Sequence, residues 1–236
     1  MKSPYKILLY CLYFNVISCS SHDYRVEDIK AVDETTEDKI IETYNEADLQ
    51  QHFPFALFRI AMIGFYNIKD LKISDRITII DYSKPSTEER FYVVDLDKKE
   101  LLYKCLVAHG RNTGNNLASN FSNEPNSKKS SLGLFITAET YQGKHGYSLK
   151  LDGIEKDINN NARKRAIVIH GADYVSKEFI KKHGRLGRSW GCPALPEVLS
   201  QEIIESISGG RCLFIYGNDD EYLNKSKYIL KKEKKS

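Results

Sequence analysis

Cys192 is the residue of this sequence best placed to do chemistry. It lies in Gly187-Arg188-Ser189-Trp190-Gly191-Cys192-Pro193-Ala194, a glycine-flanked turn where packing gives little reason for a thiol. A thiol is a weak nucleophile at neutral pH until a base takes its proton, and an imidazole can later return that proton to a leaving group. The matching imidazole is His170, which ends the run Ala166-Ile167-Val168-Ile169 and is followed by Gly171. The chain between the two is long enough to leave a strand end, loop out and return. Gly187 and Gly191 permit the tight turn that would expose the sulfur and aim backbone N–H groups at a developing oxyanion.

Short β-branched or aromatic runs supply the frame for such a pair. They are Ile77-Thr78-Ile79-Ile80, Phe91-Tyr92-Val93-Val94, Leu101 to Val107, Leu134-Phe135-Ile136-Thr137, Tyr147 to Leu151, Ala166 to His170 and Cys212 to Tyr216. Polar turns separate them, with a hairpin expected at Asp97-Lys98-Lys99. Before them, Thr35 or Thr36 would cap a helix that turns Ile40, Ile41, Tyr44 and Ala47 to one side. A second helix is expected from Pro54 to Tyr66, with Phe55, Phe58, Met62 and Phe65 as its core stripe. Short helices fit Ser176–Lys182 and Glu197–Ile207. The body reads as one mainly β domain with a helical N-terminal addition, and no strand–glycine loop–helix unit suggests a nucleotide fold.

At 236 residues with 41% hydrophobic side chains, the chain can bury a full core, which excludes wholesale disorder. Its net charge of +3 conceals a split between acidic residues 20–50 and a lysine-rich end at 224–236. The body between them is weakly charged, unlike the clustered basic stripe of a nucleic-acid binder, so no nucleic-acid partner is expected. Lys2 and Lys6 precede an apolar stretch from Ile7 to Ile17, which is a signal-peptide pattern too short to span a bilayer. It ends Val16-Ile17-Ser18-Cys19, which resembles a bacterial lipoprotein processing site with Cys19 as the lipidated residue. An ordinary cleaved signal, with Cys19 incidental, is the other reading, and either one exports the protein to the periplasm or cell envelope. The expected divisions are a signal at 1–19, an acidic tether at 20–35, the helical addition at 36–74, the catalytic domain at 75–217 and a basic tail at 218–236. Cys105 and Cys212 sit in apolar runs as small buried hydrophobes, and with Cys192 they make no disulfide framework.

A strand ending in His170-Gly171, then a loop, then Ser189-Trp190-Gly191-Cys192 resembles the catalytic motif of the bacterial L,D-transpeptidases, the YkuD-like domain. The fuller pattern is similar to the murein L,D-transpeptidase catalytic domain family. It includes Val107-Ala108-His109-Gly110, Phe121-Ser122-Asn123, Ser130-Ser131-Leu132-Gly133-Leu134-Phe135 and Tyr141-Gln142-Gly143-Lys144-His145-Gly146. The resemblance covers residues 75–217. It implies a β-sandwich-type catalytic domain with Cys192 as nucleophile, His170 as general base and the Gly171 carbonyl orienting the imidazole. The N–H groups of Gly191 and Cys192 would line an oxyanion hole. The implied donor is a peptidoglycan stem tetrapeptide, attacked at residue three with loss of the terminal D-Ala, and the thioester would pass to an amine as a 3-3 crosslink. No metal or organic cofactor is implied.

Two positions depart from the family. Trp190 stands where most members have His, and Ala194 stands where they carry Arg or Asn. Arg188 or Arg185 would then supply a charge for a substrate carboxylate, and Trp190 would either pack over the stem peptide or support the turn. Ser189 belongs to the same substrate-facing turn. His109 and His145 precede glycines, and His183 lies between the two motifs; no pair of histidines has metal-ligand spacing. Two other functions remain open: a carboxypeptidase or murein hydrolase with water as acceptor, and a non-catalytic wall-binding lipoprotein on the same fold.

Overall fold

A computed structural model describes residues 29–230. The apolar runs form strands β1 (Arg76–Asp81), β2 (Phe91–Asp95), β3 (Glu100–Cys105), β4 (Gly133–Gly143), β5 (Gly146–Gly153), β6 (Val168–Ala172) and β8 (Cys212–Tyr216), with a three-residue β7 (Ala194–Pro196). All eight join one sheet in the order β3-β2-β1-β8-β4-β5-β6-β7. β1 pairs β8 and β6 pairs β7 in parallel, and the other neighbours are antiparallel. Beyond β3 the chain swings round to the far edge. Ala108 exchanges hydrogen bonds with Ala194 (N–H to carbonyl, 2.9 and 3.3 Å), and Gly110 bridges Ser189. The mainly β fold is therefore a curled sheet that nearly closes on itself, which leaves little free edge to pair with other chains.

The helices are α1 (Glu34–Glu46), α2 (Phe55–Tyr66), α3 (Lys177–His183), α4 (Glu197–Ile207) and α5 (Asp220–Lys225). Asp33, not Thr35 or Thr36, caps α1, accepting from the Thr36 N–H at 3.0 Å and the Thr36 hydroxyl at 2.8 Å. A carboxylate satisfies both donors at once, and Glu34 and Glu37 add favourable charge to the first turn. Ile40, Thr43 and Tyr44 are buried while Ile41 faces outward. α2 is buried on nearly every side, a wider contact than the expected stripe, and its Phe58 and Ile60 share one core with Phe135 and Phe214 of the sheet. β7 had no run of its own to announce it, because three residues are too few for a period.

Segments 1–28 and 231–236, including Cys19, lie outside the described residues. Parts of the stretches read as tether and basic tail are folded. Ile29 bridges Leu230, and Ile29, Tyr222, Leu223 and Ile229 are buried in the core. Glu155 anchors this end, accepting from the Leu134 N–H at 2.8 Å, the Tyr222 hydroxyl at 3.2 Å and the Ser226 hydroxyl. The lysines dominate composition at 218–236, but the apolar residues spaced between them set the structure.

Tyr222→Ala is expected to cost about 3 kcal/mol of stability by emptying a core position. Val198→Ala on α4, at a residue 91% exposed, is expected to change it by less than about 0.5 kcal/mol. Denaturant unfolding checks both, and equal effects would contradict the packing described.

Candidate active site

Strand β6 begins directly under the thiol. Residues 159–166 wind as turns, and Ala166 closes them in the left-handed region at φ 54°, with Ile167 N–H bonded to Ala162 O and Ala166 N–H to Arg163 O, both at 3.0 Å. That is a helix-ending Schellman turn with alanine where glycine is usual. The chain then enters β6 with the Val168 N–H donating to Cys192 Sγ at 3.5 Å, while Sγ lies 3.6 Å from the Ala166 carbonyl, which accepts from it. Cys192 is partly exposed, whereas Cys105 and Cys212 are buried, and all three are free thiols.

His170 lies two residues further along β6 and is paired with Ala194 of β7 in parallel register. Cys192 precedes Ala194 by two in the turn that enters β7, and its sulfur meets Val168 N–H and Ala166 O at the start of β6, the strand that carries the imidazole two residues further on. The His170 Nδ1 is 2.8 Å from the Gly171 carbonyl. A carbonyl only accepts, so Nδ1 carries the proton and Nε2 is left with its lone pair free to act as a base. The Gly171 carbonyl thus accepts from the imidazole and fixes the plane of its ring. His145 stacks on the other side, with ring centroids 4.6 Å apart.

The turn that carries the thiol is braced from behind. Gly191 has φ 128°, and a Cβ there would come 2.8 Å from Lys129 O, so only glycine fits. The Ser130 hydroxyl donates to the Gly191 carbonyl at 3.1 Å and accepts from the Gly110 N–H at 3.0 Å. Ser189 is buried and closes the turn internally: its hydroxyl donates to the Cys192 carbonyl at 2.6 Å and accepts from the Gly191 N–H at 3.0 Å. This corrects two expectations. The Gly191 N–H is spent inside the turn, because the Ser189 hydroxyl is the nearer acceptor, and Ser189 holds the turn's shape and does not face a substrate. Among the described residues the Cys192 N–H has no such partner, which leaves it to serve an oxyanion.

The charges around the pair are uneven. Arg165 donates to the Ser122 carbonyl at 2.6 Å, the Lys129 carbonyl at 2.6 Å, Ser127 Oγ at 3.2 Å and the Ser131 hydroxyl. All four acceptors are neutral, and its charge reaches both the thiol and Glu124. Burial pushes the Cys192 thiol up, opposed by the Val168 N–H and by the Arg165 and Lys144 charges. Burial pulls the His170 imidazole down, opposed by its bond to Gly171 and reinforced by His145 and Lys144. The resting pair at neutral pH is therefore a thiol beside a neutral imidazole.

Trp190 is 67% exposed on the rim, which removes the reading of it as support for the turn. Lys128 Nζ lies 4.8 Å and Lys144 Nζ 5.8 Å from its ring centre. Arg188 is tied down, donating to the Arg111 carbonyl at 3.2 Å and the Gly114 carbonyl at 3.0 Å, and Arg185 donates to the Leu186 carbonyl at 2.6 Å. His109 lies behind the turn, where Nδ1 accepts from Arg90 at 2.8 Å; burial and that guanidinium pull it down to about 3. His183 stacks on Phe179 of α3. Sequence reading gave Arg165, Ser130 and Val168 no role at the thiol: nothing marks an arginine in a turn or a strand N–H as serving a thiol 24 or more residues later. Among the described residues no three His, Cys, Asp or Glu side chains come together as metal ligands would.

A family model described as the L,D-transpeptidase catalytic domain matches residues 49–216. No curated protein matches. Among solved structures, the chain is similar to an L,D-transpeptidase from Mycobacterium smegmatis, at 12% identity over 61% of this chain and 59% of that one, TM-score 0.38. It is also similar to the helical cell shape determining protein Pgp2 from Campylobacter jejuni, at 13% identity over 66% and 54%, TM-score 0.40. A third is an L,D-transpeptidase from Xylanimonas cellulosilytica, at 12% identity over 74% and 77%, TM-score 0.36. The chain spans less than two thirds of the length of the first two structures.

Gly191→Ala is expected to lose about 1–3 kcal/mol, from a forbidden backbone angle and the clash with Lys129 O. Ala166→Gly, by contrast, is expected to gain about 1 kcal/mol by relieving the left-handed alanine. Thermal unfolding of both variants checks this pair of opposite signs.

Proposed function

The chain belongs to the L,D-transpeptidase catalytic domain family, and from that premise we propose that it is an exported cysteine L,D-transpeptidase acting on peptidoglycan stem tetrapeptides. The observation that carries the reading is the thiol of Cys192 against the Val168 N–H at the start of β6, the strand whose His170 has its Nδ1 fixed on the Gly171 carbonyl. His170 Nε2 takes the thiol proton as Sγ attacks the carbonyl carbon of stem residue three. The Cys192 N–H stabilises the oxyanion. The C–N bond breaks, the imidazolium gives its proton to the departing D-Ala amine, and a thioester remains. An amine of a neighbouring stem then attacks, the C–S bond breaks, and the proton returns by way of His170 to the sulfur, leaving a 3-3 crosslink.

The setting of this activity is the cell envelope. Lys2, Lys6 and the apolar stretch ending at Ser18-Cys19 support export, and a lipid on Cys19 would hold the enzyme beside its polymeric substrate.

Incubation with tetrapeptide-containing peptidoglycan fragments, read by mass spectrometry, tests the reading. Wild type is expected to yield crosslinked dimers, and Cys192→Ala and His170→Ala to lose the product by roughly a thousandfold. Trimmed monomers in place of dimers would make water the acceptor, and product from Cys192→Ala would overturn the mechanism. The pH profile of kcat/KM carries a sign. The imidazole must be neutral to act, and its pKa lies below the ordinary 6.5, so the acid limb is expected below pH 6.5. A limb above that value would contradict the geometry.

A further inference from the structure

Where the family carries Arg or Asn two positions after the nucleophile, this chain has Ala194, which is fully buried in β7 and offers neither charge nor amide. A donor whose leaving group is an amino acid nevertheless brings a carboxylate within a few bonds of the scissile carbonyl. The tip of the β4–β5 hairpin supplies a cation at that place. Gly143 pairs with Gly146, so Lys144 and His145 are the two residues of the turn, and Ser148, two residues beyond Gly146, is the cross-strand partner of His170. This register brings the His145 ring onto the His170 ring at 4.6 Å and sets Lys144 Nζ 5.8 Å from the ring centre of Trp190, two residues before the nucleophile. The tip therefore touches both arms of the site.

Lys144 is exposed and has no ion-pair partner among the described residues. Other surface cations, by contrast, are paired: Lys99 with Glu42 and Glu46, Lys150 with Glu139, Arg163 with Asp152, Arg211 with Asp75; Lys128, also at the Trp190 ring, shares Lys144's lack of one but lies on another segment, outside the hairpin that carries His145. Arg188 and Arg185, the cations expected to serve, are instead bonded to backbone carbonyls. An unpaired ammonium at the rim of the site, beside the Trp190 ring and next to the His145 that stacks on His170, recognises an anion. Its charge reaches both reacting groups, lowering the thiol and the imidazole alike.

We propose that Lys144, at the tip of the β4–β5 hairpin, binds the carboxylate of the acyl donor that neighbours the scissile carbonyl. This rests on Cys192 being the nucleophile, so the test separates the two. Iodoacetate and iodoacetamide alkylate a thiol identically apart from a carboxylate in place of a carboxamide. In Lys144→Gln, alkylation of Cys192 by iodoacetate is expected to fall about tenfold relative to iodoacetamide, with Lys144→Arg restoring the ratio. With peptide donors, Lys144→Gln is expected to raise KM about tenfold more for a free C-terminal carboxylate than for the carboxamide donor, while the loss of its charge near the thiol lowers kcat equally for both. An unchanged iodoacetate ratio, or an equal rise in KM for both donors, overturns the proposal. A protein inactive on every donor that still shows the altered ratio overturns the transpeptidase reading and leaves Lys144 as an anion site beside a reactive thiol. The substitution lies on an exposed turn, so folding is not at stake.

Discussion

Two pairs of backbone hydrogen bonds, from Ala108 to Ala194 and from Ser189 to the 109–111 segment, hold the reactive turn in place. Without them the turn before β7 would be a loop on a sheet edge, and its thiol would have no fixed relation to β6. The 107–110 segment is itself held by a buried guanidinium. Arg90 donates to the Val107 carbonyl at 2.9 and 3.1 Å, the Lys84 carbonyl at 2.7 Å and His109 Nδ1 at 2.8 Å, and lies over the Tyr82 ring. Burying such a group is costly unless its donors are met, and here they fix three stretches of chain at once. Ser130 ties Gly110 to Gly191 on the reactive side of the same layer. The position of one sulfur thus depends on a stack of polar contacts running from β2 to β7.

The electrostatics follow from the same burial. A dense surrounding raises a thiol and lowers an imidazole, so it favours the neutral pair over a standing ion pair. The Val168 N–H, the Arg165 guanidinium and the Lys144 ammonium work the other way and limit the cost of forming the thiolate. At rest the site therefore holds a neutral thiol and a neutral imidazole. It combines a fixed wall, made by the sheet and Arg165, with a hairpin tip that reaches over from β4 and β5.

Much of this was legible in the sequence because it lies in local patterns. Seven strands announced themselves as β-branched or aromatic runs, and Cys192 and His170 stood out as a thiol and an imidazole at a turn and a strand end. What was not legible depends on closure. The three residues of β7 become a strand only because His170 and Ala108 lie on either side of Ala194. The Gly191 N–H looked available until the Ser189 hydroxyl two residues earlier took it. The lysine-rich end concealed Tyr222, Leu223 and Ile229 because net charge masks sparse apolar positions. Side chains that act on the site from distant segments, such as Arg165 and Lys144, carry no local signature of that role.

Intact-protein mass spectrometry after brief exposure to a stem tetrapeptide donor, with no acceptor amine present, tests the central claim most directly. The account predicts a mass gain equal to the donor less its terminal D-Ala, located on the peptide containing Cys192 and absent from Cys192→Ala. A wild-type protein that releases D-Ala without ever carrying the acyl group, or that carries it on another residue, would contradict it.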